Sequence, residues 1–145
     1  MHFTQEIEIE KPIDTVVGLY DNPDNLTKWM EGLLSYEHLS GTPGESGAKA
    51  KMHFKMGRRE IEMVETIITR NLPDEFSGTY EAKGLYNVMK STFKELSPTK
   101  TLYTTENEFQ FTGFMKIMGF LMPGAFKKQS MKYMIAFKDF VEKES

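Results

Sequence analysis

The sequence predicts a single α+β domain, an antiparallel sheet with a long carboxy-terminal helix lying on it, and three observations carry that expectation. Residues 3–10 and 48–56 alternate side chains with the two-residue period of a half-buried strand, and 101–111 puts its aromatic residues in one phase. The links between candidate strands are tight turns, which join antiparallel neighbours because parallel strands need long crossovers. Phe126, Ser130, Tyr133, Met134, Phe137, Phe140 and Val141 fall within an arc of about 120° on a helical projection. Lys127, Lys128, Lys132, Lys138, Asp139 and Glu142 lie opposite, with Ile135 as the apolar misfit on the wet side. A helix so patterned must lie on an apolar surface, and only the sheet can supply one.

At 145 residues the chain has the length of one domain, here 1–145, and should bury roughly 69% of its unfolded surface without metal or disulfide staples. Lys plus Arg is 18 and Asp plus Glu is 21, a net charge of −3, which argues against general affinity for nucleic acid. Cysteine is absent, which excludes thiol nucleophiles, disulfides and Cys-based metal sites. Met1 to Glu6 lack the basic and apolar segments of a secretory signal, and no apolar run approaches the roughly 18 residues of a membrane span. These features point to the cytoplasm.

Taken in order, the first element is a strand over 3–10, with Phe3, Gln5, Ile7 and Ile9 on one face and Thr4, Glu6, Glu8 and Glu10 on the other. Pro12 suits the first turn of a helix, and Asn22-Pro23 repeats that start signal, so two short helices are expected over 12–20 and 23–32. Strands follow at 34–39 and 48–56, separated by the glycine-rich loop 40–47. Gly57-Arg58 is a tight hairpin, since glycine reaches positive φ without strain. Strands at 59–70, 75–83, 86–96 and 101–111 complete the sheet. Residues 114–143 read as helix, broken at Met122-Pro123-Gly124 because proline disfavours helical geometry in the residue before it.

A strand, two short helices, six further strands and a long final helix is an order that resembles the START-like superfamily, also called SRPBCC or helix-grip. Supporting details are Ile7-Glu8-Ile9 running into Lys11-Pro12-Ile13, Trp29 after the Asp21–Asp24 turn, and the amphipathic finish Met131 to Phe137. The resemblance implies a curved sheet gripping the last helix around an apolar cavity. The scaffold hosts lipid carriers, polyketide cyclases and hormone receptors alike, so chemistry must be argued from residues. An empty cavity of about 300 Å³ would cost about 7 kcal/mol, comparable with a domain's whole stability, so a guest, pliable side chains or water must fill it. Methionines such as Met52, Met56, Met63, Met89, Met118, Met122 and Met134 suit an adaptable lining, or merely plug the core.

Glu65 shares its phase with Ile61, Met63 and Ile67, so a general acid or base inside the cavity is one reading. Val64, Thr66 and Ile68 give the opposite phase, and a bulge near 64 would return Glu65 to solvent. His38 is in phase with Leu34 and Tyr36 and offers an imidazole to position a substrate or take a proton, or else stays a structural or exposed residue. Tyr80 completes the acid–base candidates. Tyr103 and Asn107 are polar groups among aromatics, of the kind that orient an apolar guest; their alternative is tyrosine tips in water and an Asn107 bonded to backbone. Three scattered histidines make no metal cage, the 41–47 loop lacks the lysine of a phosphate-binding loop, and no cofactor is expected. Segment 114–126 is apolar nearly all round: a gate hinged at Pro123-Gly124, a membrane-surface or dimer contact with Lys116, Lys127 and Lys128 beside it, or ordinary packing.

The leading expectation is therefore binding or carriage of a small hydrophobic molecule (lipid, isoprenoid or aromatic) between sheet and helix, by a monomer or homodimer. Met52, Phe54, Phe76, Met89, Tyr103, Asn107, Phe109, Phe126, Met134 and Phe137 are the candidate pocket residues. One alternative is a cyclase- or dehydratase-like enzyme using Glu65, His38 or Tyr80. The other is a protein-interaction module that uses 114–126.

Overall fold

A computed structural model describes residues 1–144. Strand β1 (His2–Ile9) is followed by helix α1 (Ile13–Tyr20), a 3-10 turn (Pro23–Asn25) and the short α2 (Leu26–Trp29). Six strands come next: β2 (Leu33–Ser40), β3 (Lys49–Met56), β4 (Arg59–Asn71), β5 (Glu75–Ala82), β6 (Leu85–Ser97) and β7 (Lys100–Phe111). Helices α3 (Phe114–Leu121) and α4 (Pro123–Glu144) finish the chain. All seven strands form one antiparallel sheet in the order β1-β7-β6-β5-β4-β3-β2.

The α+β order is as the pattern predicts, with three local corrections. The second helix expected over 23–32 is shorter. It starts as a 3-10 turn capped by Asn22, whose side chain accepts from the Asp24 amide, and stops at Met30, where the backbone turns extended. In β2 the register shifts between Leu33 and Ser35, so Leu33 is the buried residue and Leu34 is 53% exposed. Tyr36 and His38 thus share their face with Leu33, not Leu34. The bulge that the mixed phase of β4 demands lies between Ile67 and Thr69, not near 64. Ile68 is turned to solvent and Glu65 stays inward, 5% exposed. Past that bulge the phase is reset, which brings Arg70 opposite Phe76 on the concave side.

The β3–β4 hairpin uses Gly57 at φ 65 with no positive φ at Arg58, the order in which a II′ turn takes its residues. The predicted break in the last helical stretch falls at Met122, between α3 and α4. Gly119 is needed where it stands, because a Cβ there would lie 2.7 Å from the Phe111 ring. That contact presses α3 onto the end of β7.

The main core lies at one end of the sheet, where Ile9, Phe93 and Tyr103 meet Val16, Trp29, Met134, Phe137, Phe140 and Val141 of the helices. Tyr20 is its hub: ring centroids of Trp29, Phe76, Phe93, Tyr103 and Phe137 lie 4.9–6.3 Å away, most at the edge-on angles aromatic pairs prefer. Phe137 is fully buried, so Phe137→Ala should cost about 3–5 kcal/mol, whereas Ile135→Ala, at a position 45% exposed, should change stability by less than about 0.5 kcal/mol. Urea denaturation of the two variants checks this; equal losses would contradict the packing described.

Candidate ligand cavity

Beside that aromatic core two adjoining chambers lie between the helices and the sheet, of about 310 and 340 Å³. Met30, Met52, Tyr80 and Met89 line both and form the partition. The first chamber, beside α1 and α2, is lined by Tyr20, Trp29, Tyr36, Ala48, Glu65, Ile67 and Phe76, with His38, Asp21, Asp24, Lys49 and Arg70 also on its wall. The second, beside α3 and α4, is more apolar. Phe54, Ile61, Met63, Leu85, Phe109, Met115 and Phe126 line it, and Asn87, Asn107, Gln129, Ser130 and Tyr133 supply its polar groups.

Cross-strand register explains why residues distant in sequence meet here. His38, Ala50, Glu65, Tyr80, Asn87 and Phe109 form one continuous row across β2, β3, β4, β5, β6 and β7. Tyr36 stands one inward position along from His38, opposite Met52. Its side chain reaches diagonally over the small Ala50, and its hydroxyl donates to Glu65 Oε1 at 2.5 Å. The Tyr80 hydroxyl donates to Glu65 Oε2 at 2.8 Å. Each carboxyl oxygen therefore holds one phenol and keeps acceptor capacity for a further donor. Glu65 has no ion-pair partner among the described residues.

The nearest arginine of the lining is already engaged. Arg70 grips Asp21 through Nε and Nη2 at 3.0 and 2.6 Å, with Glu45 at 3.9 Å, and these contacts raise its pKa further. Lys49 donates to the Thr66 hydroxyl instead. In the second chamber Asn87 donates to Asn107 Oδ1 at 3.2 Å, and Asn107 donates to Ser130 of α4 at 3.4 Å. Asn107 is thus part of a side-chain relay from sheet to helix.

Of the residues singled out from the sequence, Met52, Phe54, Phe76, Met89, Asn107, Phe109 and Phe126 line the chambers. Tyr103, Met134 and Phe137 line neither. They face the same layer but one end of it, where α4 closes onto Tyr20 and Trp29 and fills the space with rings. Glu65, His38 and Tyr80 come together at the first chamber, although His38 remains exposed at its rim. Sequence reasoning missed Tyr36 as a partner of Glu65, although it shares the phase of His38, and Arg70, whose inward turn depends on the bulge at Ile68.

The sequence matches no family model and no curated protein. Solved structures with the same architecture are numerous. A conserved protein from Geobacillus kaustophilus superposes with a TM-score of 0.81 at 16% identity, covering 99% of this chain and 96% of that one. The Zhui aromatase/cyclase from a Streptomyces species gives 0.81 at 10% identity, covering 98% and 93%. A norcoclaurine synthase point mutant from Thalictrum flavum, in complex with a transition-state analogue, gives 0.74 at 14% identity, covering 100% and 96%. The chain has the helix-grip fold of the START-like proteins. Within that fold it presents a divided cavity whose one deeply buried carboxyl group is held by two phenols.

Burial raises the pKa of Tyr103 to about 12 and pushes those of Tyr20 and Tyr80 well above 10, the latter helped by the charge of Glu65. Below about pH 10 these phenols are protonated in the folded and unfolded chain alike. As pH rises from about 10 through about 12 the unfolded chain gives up protons that the folded chain keeps, so stability falls. Tyr103 alone accounts for about 3 kcal/mol, two pKa units at 1.36 kcal/mol each. Denaturant midpoints should therefore drop steeply above about pH 10, with phenolate absorbance at roughly 295 nm rising together with unfolding; a midpoint unchanged to about pH 12 would contradict the burial of these rings.

Proposed function

We propose that this protein binds a small, largely apolar molecule in the two-chambered cavity, with a hydrogen-bond-donating end at Glu65. The observation that carries this reading is a pair of adjoining chambers, about 310 and 340 Å³, with mostly apolar, pliable walls and one buried carboxyl group. Apolar area removed from water contributes about 25 cal/mol per Å², and a few fixed polar groups select orientation. The three methionines at the partition, Met30, Met52 and Met89, can shift to let one guest occupy both chambers while Tyr80 stays on Glu65. A donor such as an amine or amide N–H meets the remaining acceptor capacity of Glu65, whereas a ligand carboxylate brings only further acceptors to it.

A second reading is favoured by the same group. A carboxyl set between two phenols can take a proton from a bound molecule while a phenol returns one, the acid–base arrangement of a cyclase- or dehydratase-like enzyme. Glu65→Gln separates the two: an enzyme loses turnover and keeps apolar binding, while a carrier loses only its preference for donor-bearing ligands.

Trp29 is the only tryptophan and lines the first chamber, so its emission reports occupancy. Adding N-phenyl-1-naphthylamine should quench Trp29 and enhance the probe's fluorescence, with saturation. Met89→Trp, which fills the partition, should abolish binding of the probe without loss of fold. An aromatic amine should displace the probe about 10- to 100-fold better than the matching carboxylate, and Glu65→Gln should shrink that ratio, since hydrogen bonds to a charged group contribute about 1.5–3 kcal/mol. No probe binding to the wild-type chain would overturn the reading.

A further inference from the structure

The outward side of α3 is apolar. Phe114, Ile117, Phe120 and Leu121 are 65%, 55%, 84% and 66% exposed, and Met122, at the helix end, is 51% exposed. On a helical projection the first four fall within an arc of about 120°. The opposite arc, with Met115, Met118 and Gly119, packs on the protein. A helix lying on a domain should turn polar residues to water, and this one is apolar on both sides.

Charge around the helix is one-sided as well. Residues 109–138 contain no Asp or Glu, and lysine stands at 116, 127, 128, 132 and 138. Lys116 is on α3, Lys127 and Lys128 open α4, and Lys83 occupies the β5–β6 turn whose Gly84 lies against Met115. None of these four makes an ion pair among the described residues; Lys127 instead lies 5.9 Å over the Phe3 ring. The protein as a whole carries −3, so this cationic corner runs against its net charge.

We infer that α3 is an interfacial anchor that seats this corner of the protein on an anionic lipid bilayer. The exposed apolar arc enters the headgroup–acyl boundary while the flanking lysines meet acidic headgroups, the division of labour expected of a membrane-surface helix. A second copy of the chain is the poorer occupant. In a two-fold dimer the same patch faces itself, so Lys83, Lys116 and Lys128 of both copies would be drawn together without an acidic partner. Anionic lipid relieves that charge. Met115, on the inner side of the same helix, lines the apolar chamber, so docking sets that chamber beside the bilayer, the natural source or sink of an apolar guest.

Sedimentation with vesicles tests this independently of cavity binding. Vesicles of equimolar phosphatidylcholine and phosphatidylserine should bring the protein down, and vesicles of phosphatidylcholine alone should bind it far less. Phe120→Asp should abolish sedimentation. Lys116→Glu with Lys128→Glu should weaken it at least 25-fold, at about fivefold per lysine removed, with raised salt acting in the same direction. Both variants change exposed side chains and should keep their melting temperature and bind N-phenyl-1-naphthylamine as the wild-type chain does. Equal binding to both vesicle types, sedimentation unaffected by Phe120→Asp, or a solution mass that rises with concentration and falls on Phe120→Asp would each overturn the proposal, the last by showing that a second copy covers the helix.

Discussion

The packing of Phe137 against Tyr20 and Trp29 sets the geometry on which everything else depends. It draws α1, α2 and α4 onto the β1, β6 and β7 end of the sheet, where rings fill the gap completely. Across β3 to β5 the helices meet the sheet through Leu26, Met30 and Tyr133, which pack against Met52, Phe54 and Tyr80. The chambers are the space around those contacts. Three of the four partition side chains are methionines and the fourth, Tyr80, is held by Glu65, so the boundary between the chambers is adaptable at its methionines.

Such a space is energetically demanding. A sealed void of either chamber's volume would cost about 7 to 8 kcal/mol at about 24 cal/mol per Å³, but both chambers communicate with solvent, so water can take up the space. An apolar guest would displace that water from mostly apolar walls, which is favourable at about 25 cal/mol per Å². On the β2–β4 side, Tyr36, Tyr80 and Glu65 satisfy one another and leave acceptor capacity over. On the α4 side, Asn87, Asn107 and Ser130 form a chain in which each amide spends a donor on its neighbour. The buried polar side chains of the chambers thus gather into two hydrogen-bonded groups, an arrangement able to orient a guest.

The order of elements was legible because periodicity and turn chemistry are local: the alternation of 48–56 and the stripe of Phe137, Phe140 and Val141 need no knowledge of partners. The cavity walls were legible for the same reason wherever strands kept phase, as at Met52, Phe54, Phe109 and Asn107. What local pattern does not encode is where the helix stops touching the sheet. Tyr103, Met134 and Phe137 carry the same signal as Met89 and Phe126, and only the three-dimensional path of α4 separates filler from lining. Register shifts hid the rest. The shift after Leu33 exchanges which leucine is buried, and the bulge at Ile68 keeps Glu65 inside and turns Arg70 inward, where Asp21 takes it up.

Ala50 shows how a residue without chemistry determines chemistry. It sits between His38 and Glu65 in the cross-strand row and is 3% exposed. A side chain of ordinary size there would fill the path by which Tyr36 reaches Glu65. The carboxyl group would then hold a single phenol, and one of its oxygens would need another donor or bear the cost of a buried acceptor without one. The small residue therefore does two things: it opens volume at the centre of the sheet, and it lets two tyrosines on opposite sides of β3 and β4 converge on one carboxyl group. The polar end of the cavity is fixed as much by that missing bulk as by Glu65 itself.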